Sequence, residues 1–79
     1  MDNAASMPLL SATLLQSRYG LSHGETEIAL AIAQGLDLTA ISAARQTSLL
    51  TVRSQVKAIF RKTGVRSQAQ LVALLFRPP

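Results

Sequence analysis

The stretch TSLLTVRSQVKAIFRKTG, residues 47–64, decides how this chain is read. Thr47-Ser48 supplies an N-cap, because a hydroxyl there can accept one of the backbone N–H groups left over at a helix start. Gly64 suits the left-handed residue that follows a helix end. The spacing between them predicts a long helix from about Leu49 to Thr63. At roughly 100° per residue, Leu49, Val52, Val56, Ile59 and Phe60 gather on one side of it. Arg53, Lys57 and Arg61 recur every fourth residue on the other side, flanked by Ser54.

Working upstream, Asp37 can cap a short helix that buries Leu38, Ile41 and Ala44 and ends near Arg45 or Gln46. The connection from Gln46 to Leu49 is tight, so this pair of helices has the form of a helix-turn-helix. Before it, Ser22-His23-Gly24-Glu25 has the pattern of a capping box. The helix it opens carries Ile28, Leu30, Ala31 and Ile32, and Gly35 stops it. Pro8 suits a first helical turn, with Leu9, Leu10, Leu14, Leu15 and Tyr19 as an apolar stripe ending at Gly20. Downstream, Ser67 caps a last helix bearing Leu71, Val72, Leu74, Leu75 and Phe76, which Pro78-Pro79 ends. No segment alternates with period two, so no strand is expected. The fold class is therefore all-α: a four-helix helix-turn-helix domain over 20–79, with an extra N-terminal helical segment. Residues 1–19 are read as a leader and an N-terminal helix or linker remnant.

Seventy-nine residues allow one small domain. With 48% apolar and 15% charged residues, the composition is that of a folded chain whose core is aliphatic. Cysteine is absent, which removes disulfides, thiolate metal sites and cysteine nucleophiles. No apolar run nears the roughly 20 residues of a membrane span. The N-terminus lacks the basic and apolar regions of a signal peptide, so a cytoplasmic location is expected.

Charge is unevenly divided. Residues 1–37 hold all four acids (Asp2, Glu25, Glu27, Asp37) and one cation, Arg18, for a net of −3. Residues 38–79 hold Arg45, Arg53, Lys57, Arg61, Lys62, Arg66 and Arg77 with no acid, a net of +7. An uncompensated basic half fits a phosphate-binding surface, and it equally fits a solvated basic face. The placement of the cations tips the balance. A surface helix often pairs opposite charges at i,i+4, and the long helix has no acid with which to do so. One anchored face and one face of long donors is what major-groove reading requires. Arg53, Lys57 and Arg61, flanked by Ser54, are then candidates to meet double-stranded DNA, Arg suiting the two acceptors of guanine and Lys and Ser either bases or phosphates. Ser48 and Thr51, at the positive end of the helix dipole, are candidates for phosphate.

The chain also resembles, from Gly20 to Leu75, the LuxR/FixJ/GerE class of bacterial helix-turn-helix domains. Leu21-Ser22, Glu25 and Glu27-Ile28 are similar to the family's opening, and Gly35-Leu36 to its Gly-Leu turn. Ile41 matches the apolar position of its Glu-Ile-Ala. Thr51-Val52-Arg53, Ile59, Lys62 and Gly64-Val65 resemble its central run, and Ala69-Gln70-Leu71-Val72 its dimerisation helix. The resemblance implies a homodimer that regulates transcription. Its base contacts would be Arg53, Ser54 and Lys57, and its phosphate contacts Thr51 and Lys62, with Arg61 and Arg66 beside them. Ala69, Leu71, Val72 and Leu75 would form the dimer interface, and RNA polymerase would be a further partner. Family members usually join this domain to a receiver or ligand-sensing domain, neither of which is found here. Ser42, Arg45, Thr47 and Gln55 depart from the family's usual Ala, Leu, Ile and His. A hydroxyl at Ser42 can bond back to the preceding turn.

Catalysis finds no support. His23 is the single histidine and lies in a capping turn. Glu25 and Glu27 diverge by about 200° on a helix and cannot act as one acid–base pair. The serines lack a nucleophile elbow, and no phosphate loop exists. No enzyme activity, cofactor or metal is expected, and no membrane partner. The last helix is more apolar than one buried face requires. It either pairs with its twin or packs wholly against segment 9–19. The alternative function is a protein-interaction module that uses the apolar terminal helices without reading DNA.

Overall fold

A computed structural model of the protein describes residues 12–76. They form five helices and no strand: α1 Ala12–Tyr19, α2 His23–Ala33, α3 Leu38–Ala44, α4 Leu49–Thr63 and α5 Gln68–Leu75. The expectations for Pro8, Leu9, Leu10, Arg77 and Pro78-Pro79 lie outside the described residues. No helix among those described is long and apolar enough to cross a membrane.

Local chemistry sets the boundaries. Ser22 accepts from the Glu25 N–H at 3.1 Å while Glu25 Oε1 accepts from the Ser22 N–H at 2.9 Å, which completes the capping box. Asp37 accepts from the Ala40 N–H at 2.8 Å, Ser48 from Thr51 at 3.0 Å and Ser67 from Gln70 at 3.1 Å. Each such cap contributes about 1 kcal/mol. At the far end of α2, Gly35 takes φ +96°. Its N–H donates to the Ile32 carbonyl and that of Leu36 to Ala31, which returns two orphan carbonyls to the ladder.

The same bond pair closes α3, from Gln46 to Ala43 and from Thr47 to Ser42. There the left-handed residue is Gln46, at φ 55°, which is not a glycine. That conformation costs roughly 1 kcal/mol or more for a residue with a Cβ. It makes the chain reverse within four residues, Arg45 to Ser48, so that α3 packs directly against α4.

α2 is the hub, packed against each of the other four helices. Ile28 and Ala29 are fully buried there, together with Val52 and Ile59 of α4 and Leu71 and Leu75 of α5. Ile41 represents α3 in the same core, whereas Ala44, expected beside it, is exposed. Leu15 of α1 is also fully buried in this core, so the helix expected to end at Gly20 packs into one core with the other four.

A second placement concerns two of the residues expected at a dimer interface. Leu71 and Leu75, expected on a face that meets a twin, have no exposure at all. Their spacing with Leu74 is i, i+3, i+4, one helix ridge, and α5 turns that ridge onto α2. What α5 leaves outward is Ala69 and Ala73, with Val72 half-buried.

Candidate nucleic-acid interface

α4 divides as its sequence dictates. Val52, Val56 and Ile59 are buried and hold the helix to α2 and α3, while Leu49 and Phe60 are half-buried at the margins. Arg53, Ser54, Lys57 and Arg61 are all exposed. The anchored face thus fixes which way the opposite face points, with no loop between anchor and donors.

The acids determine which cations stay unpaired. Lys62 Nζ donates to Glu25 Oε1 at 2.8 Å, the same oxygen that accepts from the Ser22 backbone. Glu25 is 9% exposed. The Lys62 bond first, and then the Ser22 N–H, hold its carboxyl below the usual carboxylate value. Arg45 Nη1 donates to Glu27 Oε1 at 2.7 Å, and His23 lies 3.3 Å from the other oxygen of the same carboxylate. The guanidinium beside Glu27, then the imidazole, lower its pKa too. Asp37 is committed to its cap. Every described acid is therefore in use within the fold, and none faces Arg53, Lys57, Arg61 or Arg66.

The first turn of α4 holds a small hydroxyl relay. Ser48 Oγ accepts from the Thr51 N–H and donates to Thr51 Oγ1 at 2.9 Å. The Ser48 hydroxyl is thus spent on the helix start. Thr51, whose oxygen receives that bond, keeps its own O–H for an outside acceptor. Arg66 is exposed in the α4–α5 connection, where its backbone N–H is held by Gln70 Oε1 at 2.7 Å.

Of the residues expected to contact DNA, Thr51, Arg53, Ser54, Lys57 and Arg61 lie together on one helix. Arg66 lies beyond its C-terminus, and Ser48 and Lys62 are engaged in the fold. One residue was missed. Leu50 is 74% exposed, and it lies on the side of α4 that carries Lys57 and Arg61. The helical wheel sets it apart from the apolar face of Leu49, Val52, Val56, Ile59 and Phe60, and as an apolar residue it drew no notice among polar candidates.

The departures from the family pattern also find places. Ser42 is buried, and its hydroxyl donates back to the Thr39 carbonyl at 2.8 Å. Arg45 lies over Gly24, where an added Cβ would come within 3.1 Å of its guanidinium. Gln55 Oε1 is buried without a hydrogen-bond partner, and the Nε2 of the same side chain lies near Gly24. A cleft between α2 and α3, lined by Leu30, Ala31, Leu36 and Ile41, includes the Glu27–Arg45 pair. It brings together no nucleophile and base.

Comparison of the chain with protein-family models, with curated proteins and with solved structures gives no match.

Proposed function

We propose that the chain is a helix-turn-helix domain that binds duplex DNA sequence-specifically, as a homodimer, to regulate transcription. The observation that carries this reading is the outward face of α4, where three cations one turn apart have no acid partner among the described residues. In this reading α4 enters the major groove. Arg53 and Lys57 read base edges, Arg53 reaching the paired acceptors of guanine, and Ser54 joins them. Thr51, Arg61 and Arg66 meet phosphates and set register without carrying sequence information. Lys62 belongs to the frame that aims the helix, and Ser48 positions Thr51.

Pairing falls to the outward strip of α5, centred on Ala69, Val72 and Ala73. So small a strip favours a dimer that assembles on its site and not in free solution. The rival reading, a protein-binding module using the apolar terminal helices, has less apolar surface to offer with Leu15, Leu71 and Leu75 buried in the core.

Selection of bound duplexes from a random pool, run beside Lys57→Ala, tests the proposal. Enrichment of a two-fold symmetric motif by the parent, lost or blurred in the variant, is the expected outcome. A parent that folds yet enriches nothing would remove the reading.

A further inference from the structure

Leu50 is the most exposed large apolar side chain among the described residues, at 74%. A lone exposed leucine is ordinary on a protein surface, and exposure by itself assigns nothing. Its position is what carries weight. On the helical wheel of α4, Lys57 and Arg61 fall roughly 20° to either side of Leu50, with Ser54 about 40° away on the Arg61 side and Arg53 about 60° away on the Lys57 side. Leu50 is therefore near the centre of the cationic face, not at its edge. It is also the second residue after the Ser48 cap, in the first turn of the helix. In a groove-reading helix the N-terminal residues are those that meet base edges.

Resting on the DNA-reading assignment above, we infer that Leu50 is a specificity residue. It takes the C5 methyl group of a pyrimidine, in unmodified DNA that of thymine. The chemistry is simple. A leucine can neither donate to nor accept from a base edge, and the thymine methyl is the one apolar group the major groove presents. Burying leucine against a donor or acceptor edge strands that polar group without a partner, so other bases at this position are disfavoured as well. A protein partner is a poorer occupant. Docking faces gather several apolar side chains into a patch, and the large hydrophobic that is likewise exposed, Leu36, belongs to α2–α3. Around Leu50 the same face offers Ser54, Arg53 and Lys57.

The test uses the duplex that the full chain enriches from a random pool. Each thymine in turn is replaced by deoxyuracil, which keeps every hydrogen-bonding group and removes only the methyl. Binding of the parent and of Leu50→Ala is then measured on each duplex. The variant keeps the fold, since the side chain is outside the core and alanine is the better helix former; circular dichroism checks this. The expected result is one thymine whose replacement weakens the parent about fourfold, the effect of one buried methyl group. The same replacement leaves Leu50→Ala unchanged, and selection with the variant loses preference at that position alone. If every replacement affects both proteins equally, or neither, Leu50 does not read the methyl and the DNA-reading assignment still stands. If the parent enriches no motif, both fall together. A variant that binds DNA like the parent but no longer regulates transcription would assign Leu50 to a protein contact and overturn the inference.

Discussion

Arg61 and Lys62 are neighbours in the chain and have opposite fates. Lys62 turns inward to Glu25 and becomes part of the frame, while Arg61 points out with no acid opposite it among the described residues. The same division runs through the whole molecule. The described acids sit on α2 and at the start of α3, where they cap helix ends and hold back two cations, Lys62 and Arg45. The cations of α4 beyond their reach stay unopposed. The contrast teaches that net charge is a poor guide to a binding face. What matters is which positive groups the fold has already neutralised.

The comparison breaks first at the core. Ile59 is fully buried on the anchoring side of α4. Ile59→Ala should cost about 2–5 kcal/mol of stability, read from urea unfolding, and DNA binding should fall only as the folded fraction falls. Arg53→Ala and Lys57→Ala should do the reverse, staying within about 0.5 kcal/mol of the parent in stability. Each should weaken binding to the selected site by about 1–3 kcal/mol and relax preference at one base pair, measured by titration on matched and mismatched duplexes. A loss that is equal on all sequences would move that residue to the phosphates.

Salt sharpens the same contrast. Each phosphate neutralised on duplex DNA contributes about −0.9 to the slope of log affinity against log salt. Arg61→Ala should make that slope shallower by about one such step. Lys62→Ala should leave it nearly unchanged and instead lower stability by on the order of 1 kcal/mol, the worth of one charge-assisted hydrogen bond. A slope change of equal size in both variants would put Lys62 on the DNA and erase the difference between the neighbours.

How much of this was legible depended on the range of the interaction. The caps at Ser22, Asp37, Ser48 and Ser67 and the left-handed Gly35 and Gly64 were readable because each involves residues a few positions apart. The two faces of α4 were readable because its apolar residues are spaced for one side only. α5 was not, since a helix apolar nearly all round gives no sign of which ridge is buried; Leu71 and Leu75 went inward and Ala69 outward. Nor could the Lys62–Glu25 pair be read, as its partners are 37 positions apart. The turn before α4 was readable from the tight Gln46–Leu49 connection, but the positive φ at Gln46 was not, because its side chain gives no hint of it. The proposed groove-reading role of α4 was legible as a stripe of donors on one helix face.

The smallest effect tests the frame itself. Glu25 has a folded pKa below its ordinary value of 4.5, first through the Lys62 bond and then through the Ser22 N–H. A carboxyl lowered in this way binds fewer protons folded than unfolded. Its stabilisation is fully present above the unfolded value and is lost as the pH falls through the folded one. Glu25→Gln keeps a side chain able to accept from the Ser22 N–H, so the capping box survives while the charge is removed. The parent should therefore be more stable than Glu25→Gln at pH 7, and the gap should narrow once the pH falls below about 4.5, read as urea midpoints across a pH series. In Lys62→Ala the same substitution should lose most of its effect, because the two side chains share one interaction. A gap that stays constant with pH would mean that the carboxylate charge contributes nothing and that Lys62 is as free as Arg61.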